Sequence, residues 1–298
     1  MTLTVKNLNK QIDRQAILEH IGFSVSAGEI VGLIGRNGTG KTTLFRTIAN
    51  HYAKDSGIVS INGINIDEQP KSYQEIFYLD TQHLFIAGLT PKQIAAYYRL
   101  FFEQFDTEKY FALLKKHQLA PDLKFQRFSK GMQALISVIT AFSSNASYIL
   151  LDEPFDGLDI IIKKQVMRLV LNEVSTHQRG IIISSHNLPE LEDIIDHVLI
   201  LKNQTLVRDY YLERIRETSR KFQMVFRKKE VPAVIKENCR IIQVQGRVII
   251  GIFEDLTEEL QQEILQLEPA LFEEMPITLE DLFAANLTKD SDYVLFDK

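Results

Sequence analysis

One stretch of eight residues has the residue types and spacing of a phosphate-binding loop. Residues 35–42 read GRNGTGKT and fit the pattern G-x-x-x-x-G-K-[ST]. An apolar run of strand type precedes the loop, and a segment with helical apolar spacing follows it, as the pattern requires. Glycines let backbone N–H groups turn inward and the helix start adds a positive dipole end, so the loop predicts binding of phosphate oxygens. A Gly-rich turn that only joins a strand to a helix is the alternative.

The residues predicted to bind nucleotide phosphates lie in or next to this loop: Gly35, Asn37, Gly38, Thr39, Gly40, Lys41, Thr42 and Thr43. Lys41 is expected to reach the β- and γ-phosphates. The hydroxyl of Thr42 is expected to hold Mg2+.

A pair of carboxylates forms the second candidate site. Residues 148–151 are a continuous apolar run, typical of a buried parallel strand, and the run ends in Asp152 and Glu153. Two adjacent carboxylates near a core are costly unless something pairs with them. Asp152 is therefore predicted to be the metal carboxylate, either as a direct ligand or through a group that the metal binds, and Glu153 the general base for an attacking water. The alternative is that the strand simply ends in a charged turn and the two carboxylates have no catalytic role. The complete phosphate loop upstream disfavours this alternative.

With these motifs in this order, the chain resembles the nucleotide-binding subunits of ABC transporters over about residues 3–207. Residues 128–133 (FSKGMQ) stand where that family carries its signature sequence, and residues 157–159 (GLD) follow as the D-loop. Residues 181–184 form another apolar strand that leads to residues 185–187 (SHN), which are similar to the family's switch-histidine segment. The SKGM form of the signature is typical of cassettes that serve bacterial exporters with separate membrane subunits.

The resemblance implies ATP and Mg2+ as ligands and a role for each matched residue. Two cassettes of this family sandwich two ATP molecules head to tail. Ser129 and Gly131 would therefore act on the γ-phosphate held by the phosphate loop of the opposite subunit, and Asp159 belongs to the same set of nucleotide-site residues. His186 would hydrogen-bond the γ-phosphate and fix the water near Glu153.

Two positions depart from the family's pattern. The family stacks adenine on an aromatic residue before the first core strand, and Ile12 stands at that place. Because stacking of a base on an aromatic ring contributes about 1–3 kcal/mol in nucleic-acid binders, weaker nucleotide affinity or base selectivity is expected. The family's Q-loop glutamine, a Mg2+ ligand, falls on Thr81 by spacing or on Gln82 by chemistry. Gln82 is preferred, since an amide oxygen is the better Mg2+ ligand.

Composition limits the classes of function. No run approaches the ~18 apolar residues of a membrane span, so a transport function needs permease subunits on other chains and a place at the cytoplasmic face of the membrane. The single cysteine, Cys239, fits a reducing cytosol. A formal net charge of −5 argues against a protein that coats nucleic acid.

The expected fold is α/β. Residues 1–210 are predicted to form a P-loop NTPase cassette of the ABC type, with a mixed or parallel sheet and a helical insert at about residues 90–145. The alternation of a helix at 162–177, a strand at 181–184 and a helix at 187–195 is typical of a doubly wound sheet. Residues 211–298 carry a βαββαβ pattern, which predicts a small α+β ferredoxin-like domain.

The predicted function is ATP hydrolysis that powers a membrane exporter through dimerisation of two cassettes, either identical or different. A hydrolysis-impaired regulatory cassette of a heterodimeric transporter is an alternative, although intact Glu153 and His186 argue against it. A non-transport ABC ATPase is another alternative. For Phe85, in the apolar stretch at residues 83–86, both core packing and docking of a membrane partner remain open.

Overall fold

The computed structural model describes residues 1–80, 85–228 and 230–287. The chain divides into two compact units, Met1–Asp209 and Tyr210–Lys298. Within the described ranges, no helix is long and apolar enough to cross a membrane.

The first unit contains both strands and helices. In chain order they are β1 (Thr2–Ile12), β2 (Gln15–Ser26), β3 (Ile30–Ile34), α1 (Lys41–Ile48), β4 (Ser56–Ile61), β5 (Ile64–Asn65), β6 (Ile76–Asp80), α2 (Pro91–Tyr98), α3 (Thr107–Lys116), α4 (Lys130–Ser143), β7 (Tyr148–Asp152), α5 (Ile160–His177), β8 (Gly180–Ser185), β9 (His197–Lys202) and β10 (Thr205–Tyr211).

The central sheet of the first unit has the strand order β10-β9-β3-β8-β7-β6. Every residue of β3, β7 and β8 is buried, as expected of apolar strands covered on both faces. Strand β3 is parallel to β8 and β9, and β7 is parallel to β6 and β8. The carboxyl ends of β3, β7 and β8 therefore meet at one edge of the sheet.

A second, antiparallel sheet has the order β2-β1-β4-β5 and shares a core with the central sheet. Leu3, Val5 and Ile21 of the antiparallel sheet belong to the same buried cluster as Leu44 and Phe45 of α1. Helix α1 is amphipathic, and this apolar side fixes its position above the sheet. Its first residue follows directly from the loop after β3.

The helical insert contains α2, α3 and α4. Thr90 and Gln93 form a reciprocal capping box at the start of α2, and the Asp106 carboxylate accepts a hydrogen bond at the start of α3. Phe77 of β6 packs against the rings of Tyr98 and Phe102, with centroid distances of 5.2 Å in both cases. These contacts join the insert to the edge strand of the central sheet.

The predicted helix at residues 187–195 is wrong. The structure has only a short 3-10 turn at Leu188–Glu190, followed by further turns. The side chain of Asn187 donates to Glu190 at 2.7 Å instead of capping a helix, so the first backbone amides lack the side-chain acceptor that favours a helix start.

The second unit contains α6 (Leu212–Thr218), β11 (Arg220–Val225), α7 (Ala233–Asn238), β12 (Arg240–Gln245), β13 (Val248–Phe253), α8 (Glu258–Gln266), β14 (Leu271–Met275) and α9 (Leu279–Leu287). Its antiparallel sheet has the order β12-β13-β11-β14. Ile235 of α7 and Ile264 of α8 share one buried cluster with Phe222 and Met224 of β11. From β11 to β14 the chain follows the βαββαβ order that was predicted for a ferredoxin-like domain.

Candidate active site

Three parallel strands bring the predicted catalytic segments together at one edge of the central sheet. The phosphate loop follows Ile34 at the end of β3, and Ile34 pairs with Ser185 near the end of β8. Asp152, the last residue of β7, pairs with Ser184 of β8. In parallel sheets, ligands bind beyond the carboxyl ends of the strands, which is where these segments lie.

The phosphate loop ends in a helix whose first turn has no side-chain cap. Gly40 is the N-cap of α1, and no side chain accepts a hydrogen bond there. Gly40 has a φ of 106°, and a Cβ at this position would come within 3.1 Å of the Ile17 carbonyl, so the turn requires glycine. The backbone N–H groups of the first helical turn, with the helix dipole behind them, are suited to bind an anion.

The remaining residues of the loop frame this site. Asn37, Gly38 and Thr42 are exposed, whereas Gly35 is buried. The hydroxyl of Thr39 donates to the Arg36 carbonyl at 2.8 Å and closes the loop. Thr43 lies in the first turn of α1, and its carbonyl accepts the Thr47 hydroxyl at 2.7 Å.

Lys41 is the central cation of the site and is only 5% exposed. Its Nζ atom donates to the carbonyl oxygens of Gly35 at 2.8 Å and Arg36 at 3.4 Å. The same atom lies 3.5 Å from Oε1 of Glu153. A buried ammonium needs such partners, and a phosphate placed at the loop would meet this charge directly.

Glu153 joins Lys41 to His186. While its Oε1 faces Lys41, its Oε2 lies 2.7 Å from Nδ1 of His186. The His186 side chain is 44% exposed and borders a cavity of about 100 Å3, which Gly157 and Lys163 also line. A carboxylate that is held between a cation and an imidazole, and that opens to a cavity, can accept a proton from a bound water.

Asp152 is held by two hydroxyl groups that belong to none of the sequence motifs. The Ser184 hydroxyl donates to Oδ1 of Asp152 at 2.6 Å, and the Tyr78 hydroxyl donates to Oδ2 at 3.2 Å. Burial and the nearby Asp152 and Asp80 carboxylates raise the pKa of Tyr78, so its hydroxyl keeps the proton that it donates. Both are hydroxyl residues near the ends of the two strands beside β7, but their contact with Asp152 depends on strand register, which the sequence does not give.

The oxygen donors at this edge fit Mg2+. Thr42 exposes its side chain in the first turn of α1, and Asp152 places a carboxylate at the end of β7. Hydroxyl and carboxylate oxygens are hard ligands of the kind that Mg2+ prefers. Thr81 and Gln82, the two candidates for the Q-loop ligand, lie outside the described residues.

The residues of the predicted signature and D-loop lie at the starts of α4 and α5, not at the start of α1. Ser129 is exposed and is the N-cap of α4, where its hydroxyl accepts a hydrogen bond from the Met132 amide at 3.3 Å. Gly131 approaches α5 so closely that an added Cβ would come within 2.9 Å of a side-chain atom of Ile162. Asp159 is the N-cap of α5 and accepts two backbone hydrogen bonds from its first turn.

Ile12 lies at the end of β1, where it pairs with Gln15 across a hairpin. It is 37% exposed, so the place at which the family's pattern has an adenine-stacking aromatic residue is open to solvent. The half-buried Ile17 lies on the next strand, with side-chain and backbone atoms close to Gly40 of the phosphate loop.

The amino-acid sequence is similar to that of known ABC transporter proteins. Residues 18–156 match the profile of the family described as ABC transporter. The ABC transporter ATP-binding protein YtrB of Bacillus subtilis is 30% identical over 283 residues, which cover 95% of this chain and 97% of YtrB. That similarity therefore extends into both units.

Solved structures share the fold. A structure described as the ATP-binding subunit of an ABC transporter is 28% identical, with a TM-score of 0.66, and the match covers 73% of this chain and 92% of the other. The dimeric structure of a bacterial ABC transporter cassette is 20% identical, with a TM-score of 0.62 over 70% of this chain and 98% of the other. At that identity the second likeness concerns the fold alone.

Proposed function

Because the chain belongs to the family of ABC transporter ATP-binding proteins, we propose that it powers a membrane exporter by binding ATP and Mg2+ between two cassettes. The predicted family, the fold class and the ATPase activity of a transporter subunit are confirmed. The residue roles, the metal, the pairing of cassettes and the export direction are the proposed part.

The contact of Glu153 with both Lys41 and His186 carries this proposal. Lys41 would bind the terminal phosphates of ATP, since it is the cation of the phosphate loop. Glu153 would take a proton from the attacking water, and His186 would orient that water and the γ-phosphate. Glu153 already lies 3.5 Å from Lys41 and 2.7 Å from His186, so both groups that would act with the proposed base are in contact with it.

Thr42 and Asp152 would hold the Mg2+ ion. Bound there, Mg2+ would neutralise charge that develops on the β- and γ-phosphates. The chain's own contribution is the orientation of the two ligands, because α1 fixes Thr42 and the hydroxyls of Ser184 and Tyr78 fix Asp152.

A second cassette would supply the signature residues. Ser129 and Gly131 make their described contacts within α4 and against α5, whereas the phosphate loop lies at the end of β3. The amide end of α4 would therefore face a phosphate held by the other subunit. A relative with the same fold has a dimeric structure, which supports this arrangement without choosing between identical and different cassettes.

The membrane partner would be a separate permease chain that contacts the helical insert from the cytoplasmic side. Three aromatic side chains lie together there, and an exposed leucine is next to them in sequence. Phe85 is 62% exposed and packs on Tyr97 with a centroid distance of 5.0 Å, and Tyr97 is the same distance from Phe101, which is 53% exposed. Leu100 is 78% exposed. Exposed apolar residues in a group mark contact surfaces, so docking is favoured over core packing for Phe85.

Substitution of the proposed base tests this function. Glu153→Gln should lower kcat about 10²–10⁴-fold, which corresponds to roughly 3–5 kcal/mol of barrier, while ATP binding remains. Lys41→Ala should instead lose ATP binding, because it removes the phosphate-binding cation.

Steady-state phosphate release and calorimetric ATP binding distinguish the two variants. Light scattering on Glu153→Gln should also show dimers with ATP and Mg2+ but not with ADP. Parent-like turnover of Glu153→Gln would refute the base assignment. Dimers that form only when a second cassette is added would indicate a heterodimer.

A further inference from the structure

A single buried hydroxyl, that of Ser184, contacts both halves of the carboxylate pair. It donates to Oδ1 of Asp152 at 2.6 Å and accepts the backbone N–H of Glu153 at 3.0 Å. Ser184 is completely buried, so water does not substitute for these bonds. One side chain therefore touches the proposed metal carboxylate and the backbone of the proposed base.

The register of the sheet explains this contact. Ser184 of β8 and Asp152 of β7 are paired residues of parallel neighbouring strands, so their side chains lie side by side on the same face. On its other side Ser184 pairs with Leu33 of β3, two residues before the phosphate loop. Ser184 thus stands between the strand that carries the carboxylates and the strand that leads to the loop.

The backbone of Glu153 has to be held in an uncommon conformation. Its φ is 49°, in the left-handed region that residues with a Cβ rarely adopt. The hydrogen bond from its N–H to Ser184 is one restraint on that conformation, and the bond from the Asp156 amide to the Glu153 carbonyl, at 3.2 Å, is another. Residues held in such conformations cluster at active sites, where the surrounding structure maintains them.

We propose that Ser184 is a positioning residue for ATP hydrolysis: its hydroxyl orients Asp152 toward the metal and holds the backbone turn that aims Glu153 at the attacking water. This inference rests on the proposed function, because it assumes that Glu153 is the base. Groups that hydrogen-bond a metal carboxylate typically affect metal affinity or activity about 10–100-fold when they are removed.

Ser184→Ala is the direct test, and Ser144→Ala is its matched control. Ser144 is also buried, and its hydroxyl also donates one hydrogen bond, to the Ala141 carbonyl at 2.6 Å, and accepts one, from the Ala146 amide at 3.2 Å. It lies at the end of α4, away from the carboxylates. The two variants remove the same chemistry from the core, so they separate loss of a buried hydroxyl from loss of positioning.

Ser184→Ala should lower kcat about 10–100-fold and raise the Mg2+ concentration for half-maximal activity. Its KM for ATP should stay within about threefold of the parent value, since Ser184 does not contact the phosphate loop's own residues Lys41 or Thr42 through any described bond. Both alanine variants should lose a similar amount of thermal stability, and Ser144→Ala should keep the parent kcat. Ser184→Thr, which keeps the hydroxyl, should recover most of the lost turnover.

One further measurement completes the test. Calorimetric binding of ATP with and without Mg2+ should show a weaker Mg2+-dependent gain in Ser184→Ala than in the parent. If Ser184→Ala keeps kcat within twofold while Glu153→Gln loses turnover, the positioning role is wrong and the proposed function stands. If Glu153→Gln keeps the parent kcat, the proposed function itself fails. An equal loss of kcat in Ser184→Ala and Ser144→Ala would mean that Ser184 has only a structural role and would refute the positioning role.

Discussion

Two glutamate–histidine pairs lie at opposite ends of the central sheet. At the carboxyl end, Oε2 of Glu153 is 2.7 Å from Nδ1 of His186. At the amino end, Oε1 of Glu29 is 2.8 Å from Nδ1 of His197. The contacts are nearly equal in length, but the His186 side chain is 44% exposed and the His197 side chain 2% exposed.

The two histidines differ in their remaining surroundings, and this difference indicates what each pair does. Nε2 of His197 lies 2.6 Å from Oδ1 of Asp209, so both of its ring nitrogens face carboxylates of the protein itself. His186 instead borders a cavity with nearly half of its side chain exposed. A short glutamate–histidine distance therefore does not identify a catalytic pair, and access to a ligand does. We infer that His197 has a structural role, in which its buried ring links Glu29 to Asp209 near the end of β10.

Loss of His186 should have the largest effect and should appear in turnover. His186→Ala should lower kcat about 10²–10⁴-fold, roughly 3–5 kcal/mol of barrier, because the proposed base loses its orienting partner. The free energy of unfolding should change by less than about 0.5 kcal/mol, since the side chain is exposed. Phosphate release and urea unfolding measure the two quantities. His177→Ala, at an exposed histidine of α5, is the control, and an unchanged kcat in His186→Ala would contradict the comparison.

Loss of His197 should affect stability instead. His197→Ala leaves the buried Glu29 carboxylate without its imidazole, and breaking a buried pair from one side costs about 3 kcal/mol or more. Turnover per folded molecule should match the parent, because His197 lies at the other end of the sheet from Glu153. Urea unfolding followed by kinetics on the folded fraction tests both statements. A variant that keeps its stability but loses turnover would reverse the roles of the two pairs.

The sequence predicted one of these pairs and not the other for a physical reason. Glu153 and His186 each follow an apolar strand, and parallel strands bring such ends to one edge, so motif order was sufficient to place them together. The sequence motifs give His197 no role. Its partners Glu29 and Asp209 lie in segments whose proximity depends on sheet order, with β9 next to β3 and β10.

Other parts of the site could not be predicted from the sequence for the same reason, since they depend on three-dimensional placement. The roles of Ser184 and Tyr78 depend on strand register, since a shift by one residue would turn either side chain to the other face. The helix predicted at residues 187–195 failed because Asn187 bonds to Glu190 rather than to the backbone. The strand, helix and fold-class predictions depend on apolar periodicity and short-range signals, which the sequence contains directly.

The pH dependence of stability should come from the buried pair. Burial lowers the pKa of His197, but the contacts with Glu29 and Asp209 outweigh it and raise the pKa above its ordinary value. Protonated His197 therefore contributes stability that is fully present below the unfolded pKa of about 6.5 and is lost as pH rises through the folded pKa.

The slope from this one proton is at most about 1.4 kcal/mol per pH unit. The measurement is the difference in unfolding free energy between the parent and His197→Ala as a function of pH. The difference is required because desolvation and Arg46 lower the pKa of His51, which gives a slope of opposite sign in both proteins. A difference that grows as pH rises above 6.5 would contradict the sign.

The smallest effect should come from Asp209, the more exposed of the two carboxylates that contact His197. The Asp209 side chain is 43% exposed, whereas that of Glu29 is 8% exposed, so solvent screens the Asp209 contact much more strongly. Asp209→Asn should therefore cost only about 0–1 kcal/mol of unfolding free energy, and its effect should shrink in high salt. Glu29→Gln should cost more and should remove most of the pH dependence assigned to His197, with little sensitivity to salt. Urea unfolding of both variants at pH 6 and pH 8, in low and high salt, makes the comparison. Equal losses in the two variants would mean that exposure does not rank the partners of a histidine, and the distinction drawn between His186 and His197 would lose its basis.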